Sequence, residues 1–182
     1  KEKQQTIFHD REDYEFFLYK LEECLKKTKD EVIVHNLLPN HYHLSIKAFS
    51  EKSISDLARS FLRSYTYYHN NKYDYTGTIY ENNFNSIHIK NPLHLIILSR
   101  YIHMNSYKHG ISETKEEALD YEWSSLSKYK NNNGAYFAKL SYVLGYFENI
   151  EQYEVFCKTS DLMSYREFLS QEELFILMNS AI

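Results

Sequence analysis

One stretch constrains this chain more than any other. In residues 31–48, Glu-Val-Ile-Val-His-Asn-Leu-Leu is followed by Pro39-Asn40 and then by His-Tyr-His-Leu-Ser-Ile-Lys-Ala. Two runs rich in apolar and β-branched residues, separated by a two-residue turn signal, predict antiparallel strands over 31–38 and 41–48. Helical patterns flank this pair. Tyr14, Phe17, Leu18, Leu21 and Leu25 repeat at helical spacing and predict a helix over 12–28. Asp10 suits its N-cap, and Asp13 and Glu15 fall near the first turn, where the helix dipole favours acids. Ile54, Leu57, Ala58, Phe61, Leu62 and Tyr65 form the apolar stripe of a second helix, over 53–70. After Gly77, residues 78–90 predict a third extended segment. Pro92 suits the first turn of another helix, running to Met104, with Gly110 beyond its end. The order of elements predicts an α+β fold with helices packed on an antiparallel sheet.

The chain has 182 residues, enough for one domain with an appendage. The expected division is a domain over 1–130 and a helical extension over 131–182, with Asn131-Asn132-Asn133-Gly134 as the joining loop. Apolar runs are short, such as Leu95–Leu98 and Leu174–Met178, so no membrane-spanning helix is expected. The opening Lys-Glu-Lys-Gln-Gln has no apolar stretch, and Cys24 and Cys157 make no disulfide framework. A cytoplasmic setting is therefore expected, with both cysteines as structural thiols. The net charge of −4 disfavours a nucleic-acid partner on its face, but charge is unevenly spread. Residues 1–30 carry −1, residues 31–110 carry +3 with eight of the nine histidines, and residues 111–182 carry −6. The middle of the chain could face an anion.

Two constellations in that middle section carry chemistry. On a strand, His41 and His43 point to one face, where two imidazoles could hold a divalent metal. The same spacing suits two half-buried histidines with no ligand. On a helix, Tyr101 and Asn105 share a face, bringing a hydroxyl and an amide oxygen together. Among 18 tyrosines, Tyr101 reads equally well as a core residue. A third cluster, Tyr65, Tyr67, Tyr68, His69 and Lys72, could stack bases or simply close a helix end. No glycine-rich phosphate loop is present. The acidic run Glu113–Glu122 reads as a solvated face.

Taken together, the pieces resemble a known family. Leu38-Pro39-Asn40-His41-Tyr42-His43-Leu44 resembles the signature of the single-tyrosine HUH transposases, in the branch of the REP-associated transposase-like proteins. Gly77-Thr78-Ile79-Tyr80 through Phe84-Asn85-Ser86-Ile87 resembles the family's third-strand motif. Ser99-Arg100-Tyr101-Ile102-His103-Met104-Asn105, with Lys108 and Gly110, resembles its catalytic helix, and Tyr121-Glu122-Trp123-Ser124-Ser125 a motif that follows. The strings occur in the family's order over residues 6–125, with a weaker match over Tyr142–Phe156.

The resemblance implies a ferredoxin-like HUH domain with a C-terminal helical tail. It implies a metal-dependent enzyme that nicks and rejoins single-stranded DNA near hairpins through a 5′-phosphotyrosine. Tyr101 would be the nucleophile. His41, His43 and Asn105 would bind Mg²⁺ or Mn²⁺. Arg100, Lys108, Lys90 and Arg63 are candidates for contact with the DNA backbone, and only Arg100 and Lys108 lie inside the matched motifs. A homodimer, with Tyr101 serving a partner's His pair, is left open. So is the alternative of a domesticated hairpin-binding regulator without activity. The chain also departs from the family. Asn83 and Asn85 stand where basic residues are usual, and Ser106 replaces a proline after the asparagine. Family members carry a β-strand before the Thr6-Ile7-Phe8 region; a sheet lacking it would expose an unpaired edge, so either residues of the natural protein precede this sequence or another segment, of this chain or of a partner, fills the gap.

Overall fold

The computed structural model describes residues 6–80, 86–131 and 136–159. Helix α1 spans Arg11–Thr28 and opens in a capping box, in which the Asp10 side chain accepts from the Asp13 N–H and the Asp13 side chain accepts from the Asp10 N–H. Strands β1 (Glu31–Leu38) and β2 (His41–Lys47) form the expected antiparallel hairpin. Its register pairs Leu38 with His41 and Asn36 with His43, with an irregularity between Val32 and Val34. Helix α2 runs Glu51–Tyr73 from a Ser50 capping box, longer than the apolar stripe alone predicts. Helix α3 (Pro92–His103) starts with proline in its first turn under an Asn91 cap. Short helices follow: α4 (Asn105–Lys108), α5 (Lys115–Leu119), α6 (Ser125–Asn131), α7 (Ser141–Leu144) and α8 (Ile150–Thr159).

The hairpin lies between two apolar clusters, and the period of two along β2 decides which residue meets which. Tyr42, Leu44 and Ile46 join a cluster with Phe17 and Leu21 of α1 and Leu57, Phe61 and Tyr65 of α2. The alternate residues His41, His43 and Ser45 point the other way. On that side Ile33 and Val34 pack with Ile97, Leu98 and Tyr101 of α3, and with Val143, Tyr153 and Cys157 from the C-terminal helices. The described part of the C-terminal extension enters both clusters, since Ala138 belongs to the first. Cys24 and Cys157 are buried and free.

The third strand is corrected. Among the described residues the sheet has two strands. Residues 78–80 and 86–90 form no ladder, and 81–85, with Asn83 and Asn85, lie outside the described residues. Burial nonetheless alternates over Ser86–Lys90, with Ile87 and Ile89 turned towards the second cluster. That alternation is what the sequence displays. It marks extended backbone with one face covered, and a strand also needs a neighbour's hydrogen bonds.

The edge of β1 away from β2 is covered from a distance in sequence. Leu37 N–H donates to Trp123 O at 3.1 Å, Asn36 bridges to Ser124, His35 N–H donates to Ser125 Oγ at 3.0 Å, and Lys139 N–H donates to Val32 O at 2.7 Å. The Tyr121–Ser125 motif thus has a structural task, reinforced by Tyr121 donating its hydroxyl to Leu37 O at 2.9 Å and Trp123 stacking on Tyr14 at 4.4 Å. No helix among the described residues is long and apolar enough to cross a membrane.

Candidate metal and tyrosine site

β2 and α3 bring together side chains that the sequence holds about sixty residues apart. The His41 and His43 rings stand edge to face at 5.1 Å between centroids. The Tyr101 ring meets His43 edge to face at 5.6 Å. The tyrosine therefore lies beside the His pair of its own chain. Asn105 follows one turn on, at the start of α4, and is fully buried. Asn36 ties the strand to this helix end by donating from Nδ2 to Ile102 O at 2.7 Å.

Hydrogen-bond accounting bears on three of these side chains, as well as on Asn36 and Ser45, whose Oδ1 and Oγ are also buried without a partner. Buried polar atoms are almost always paired. His41 Nε2, His43 Nε2 and both amide atoms of Asn105 are sealed from solvent without a hydrogen-bond partner. The other His41 nitrogen, Nδ1, lies 2.8 Å from Asn40 Oδ1. An amide oxygen only accepts, so Nδ1 carries the proton and Nε2 presents its lone pair. Burial pushes the His41 pKa down to about 3, helped by His109 and Lys108. Burial also pulls His43 well below the usual histidine value, with His41, His109 and Lys108 adding to the effect. Both rings are neutral at physiological pH, the form that binds metal. Two imidazole nitrogens and an amide, each lacking a partner, fit a divalent cation. Among the described residues no group of three or more His, Cys, Asp or Glu is placed to hold a metal, so Asn105 is needed to make a third protein ligand. Nitrogen ligands favour Mn²⁺ over the harder Mg²⁺.

Compared with family models, curated proteins and solved structures, the chain matches none. The geometry therefore stands by itself.

The four basic residues expected on DNA separate. Lys108 lies on the tyrosine, donating from Nζ to the Tyr101 hydroxyl oxygen at 2.9 Å, and burial lowers its pKa. Arg100 is buried and donates from Nε to Cys157 O at 3.0 Å, a contact that holds α8 rather than facing solvent. Lys90 is exposed just ahead of α3. Arg63 is exposed on α2, which packs on the opposite face of the hairpin from the His pair. The aromatic cluster resolves as a helix end. Tyr65 is buried and donates to Ile7 O at 2.6 Å, Lys72 is drawn onto Asp10, Glu12 and Asp13, and Tyr67 alone of the three tyrosines is openly exposed.

Two residues had no assigned role in the sequence, and a third takes a different one. His109 places its ring 4.7 Å from that of His41 and has its pKa lowered by burial and Lys108. Asn40 sets the His41 tautomer, and Lys108 marks the phenol oxygen rather than the DNA backbone. The first two carried a weak signal. Asn40 directly precedes the His pair, and His109 lies eight positions beyond Tyr101 in the same run.

Proposed function

We propose that this chain is a metal-dependent single-strand DNA nicking and joining enzyme of the HUH type, with Tyr101 as nucleophile and His41, His43 and Asn105 as metal ligands. The observation that carries this reading is the coincidence of two sets. His41, His43 and Asn105, which resemble the family's ligands, are among the side chains whose buried donor and acceptor atoms lack partners, and the Tyr101 ring meets His43.

The chemistry is coherent for these residues. A bound Mg²⁺ or Mn²⁺ would polarise a phosphate oxygen and offset charge in the transition state. The Tyr101 oxygen attacks phosphorus in line, its bond to phosphorus forming as the bond to the 3′ oxygen breaks. The phenol proton is lost, and the departing oxygen takes one up as a 3′-hydroxyl. Lys108, already on the phenol oxygen, stabilises the phenolate as it forms. The phosphotyrosine keeps the ester linkage, so a 3′-hydroxyl can reverse the step and rejoin DNA. Lys90 is the exposed cation best placed for a backbone contact, because it leads directly into the helix that carries Tyr101.

The second reading is a hairpin-binding regulator that no longer cuts. Tyr101 is only 2% exposed, which favours it, because a nucleophile that deep must be uncovered before it can act.

The test is a denaturing gel of end-labelled hairpin DNA incubated with protein and Mn²⁺. The enzyme reading expects a covalently shifted band that Tyr101→Phe and chelator both abolish. Salt-sensitive hairpin binding with no such band in wild type would sink it and leave the regulator.

A further inference from the structure

A second pair of histidines lies on the other side of the hairpin turn, away from the candidate site. The N-terminal segment is pinned there from two directions. Ile7 N–H and Phe8 N–H both donate to Pro39 O, at 2.8 and 2.9 Å, and Ile7 O accepts the Tyr65 hydroxyl. His9 leaves this fixed backbone towards the last turns of α2. It meets His69, whose side chain is buried at 2% exposure. The two Nε2 atoms face each other at 3.4 Å, and the Tyr73 ring flanks both imidazoles at 4.4 and 4.9 Å.

That separation is long for an ordinary hydrogen bond. It matches the edge of a tetrahedron around zinc, where zinc–nitrogen bonds of about 2.0–2.1 Å set the nitrogens about 3.3–3.4 Å apart. The protonation pattern agrees. Asn70 donates from Nδ2 to Gly77 O at 2.9 Å, which fixes its amide and leaves Oδ1 as an acceptor. The Asn70 side chain adjoins the His69 ring. His69 Nδ1 and Asn70 Oδ1 are both sealed from solvent without a hydrogen-bond partner. The His69 ring therefore meets His9 through its Nε2 edge alone. Burial and the neighbouring His9 lower the His69 pKa, which keeps the ring neutral.

The nearby carboxylates are already engaged. Asp13 accepts from His9 N–H at 2.6 Å, Tyr73 at 2.8 Å, Lys72 at 2.9 Å and Tyr68 at 3.1 Å, and Asp10 accepts from Lys72 at 2.9 Å. The protein thus offers two nitrogens, with water to complete the shell.

We propose that His9 and His69 form an open two-nitrogen site for a borderline divalent cation of the zinc and nickel class, which braces the N-terminal segment against α2. Imidazole suits such ions and is a poor ligand for Mg²⁺. This site does not depend on the proposed enzyme activity.

The test is calorimetric titration of metal-free full chain with zinc chloride, in wild type, in His9→Ala and in the double variant His41→Ala/His43→Ala. His9 is exposed, so its removal leaves the core untouched. The expected result is one bound zinc ion fewer per chain in His9→Ala than in wild type, while the double variant keeps the His9-dependent ion. As a second measurement on wild type, the nitrogen signals of the His9 and His69 rings should shift together when zinc is added and return on chelation. Equal zinc stoichiometry in wild type and His9→Ala, or ring signals that ignore zinc, would overturn the site. Loss of binding only in the double variant would likewise overturn it, while supporting metal at the His41–His43 pair.

Discussion

At the scale of the residue, tautomers decide what the candidate site can bind. An imidazole offers a metal one lone pair, and its direction depends on where the ring proton sits. At His41 the choice is made by the residue before it, because Asn40 Oδ1 accepts the Nδ1 proton at 2.8 Å. Acceptors that hold the far nitrogen of a metal-binding imidazole are commonly worth about 10–100-fold in metal affinity. Asn40→Ala should therefore weaken Mn²⁺ binding about tenfold, at the low end of that range, because burial alone still keeps the ring neutral. Calorimetry with Mn²⁺ on the metal-free chain reads this directly. Unchanged affinity would mean that Asn40 shapes only the turn. The same scale explains what the sequence could not show. A period of two places His41 and His43 on one face, and a helical turn places Tyr101 near Asn105; both are local rules. That Lys108 folds back on Tyr101, or that His109 meets His41, depends on how α4 turns after α3, and no local rule supplies it.

At the scale of the element, the question is what holds α3 against the hairpin so that Tyr101 meets the His pair. A buried hydrogen-bond chain does much of this. Ser125 Oγ accepts from His35 N–H at 3.0 Å and donates to His103 Nε2 at 2.8 Å. His103 Nδ1 donates to the Tyr153 oxygen at 2.6 Å, Tyr153 donates to Ser99 Oγ at 3.0 Å, and Ser99 donates to Ile96 O at 2.8 Å. Each donor along this line has an acceptor, which joins β1, α3, α6 and α8 into one body. Tyr153→Phe breaks the line in the middle and leaves the His103 Nδ1 proton without an acceptor. The expected cost is about 1–3 kcal/mol of stability. Urea unfolding checks it, and a midpoint equal to that of wild type would show that water replaces the hydroxyl. The hairpin, the capped start of α1 and the proline start of α3 were legible because capping, periodicity and turn chemistry act within a few residues. The edge cover supplied by Trp123–Ser125 was not legible as such. Those residues reach β1 across nearly ninety positions of chain, and nothing local marks Ser125 as the partner of His35. Over the described residues 86–90 the converse holds: the alternation reports one covered face, while a ladder is a property of two segments.

At the scale of the whole molecule, the number of neutral histidines in the interior sets how the fold responds to acid. Burial pushes His35 down to about 3, with its backbone neighbour at Trp123 only partly offsetting this, and it pushes His103 down to about 3 as well. In the unfolded chain the same rings return to the ordinary histidine value of about 6.5. The sign follows from proton counting. Between about pH 6.5 and 3 the unfolded state binds protons that the folded state refuses, so stability is complete above that window and falls as pH drops through it. Each such ring contributes a slope of about 1.4 kcal/mol per pH unit. The most buried carboxylate does not add to this loss until lower pH. Hydrogen bonds from His9 N–H, Lys72, Tyr73 and Tyr68 overcome burial to hold Asp13 below the usual carboxylate range. The urea midpoint, measured with chelator so that no metal competes for the rings, should be level from pH 8 to pH 7 and decline steeply from pH 6 to pH 4. His35 has no contact with the candidate ligands and reports this effect apart from them; its Nε2 lies 2.9 Å from the Tyr136 hydroxyl, and its ring stacks on Phe137. A midpoint that stayed level down to pH 4 would mean that the interior admits water to these rings, and that the hairpin is less tightly covered than its two apolar clusters require.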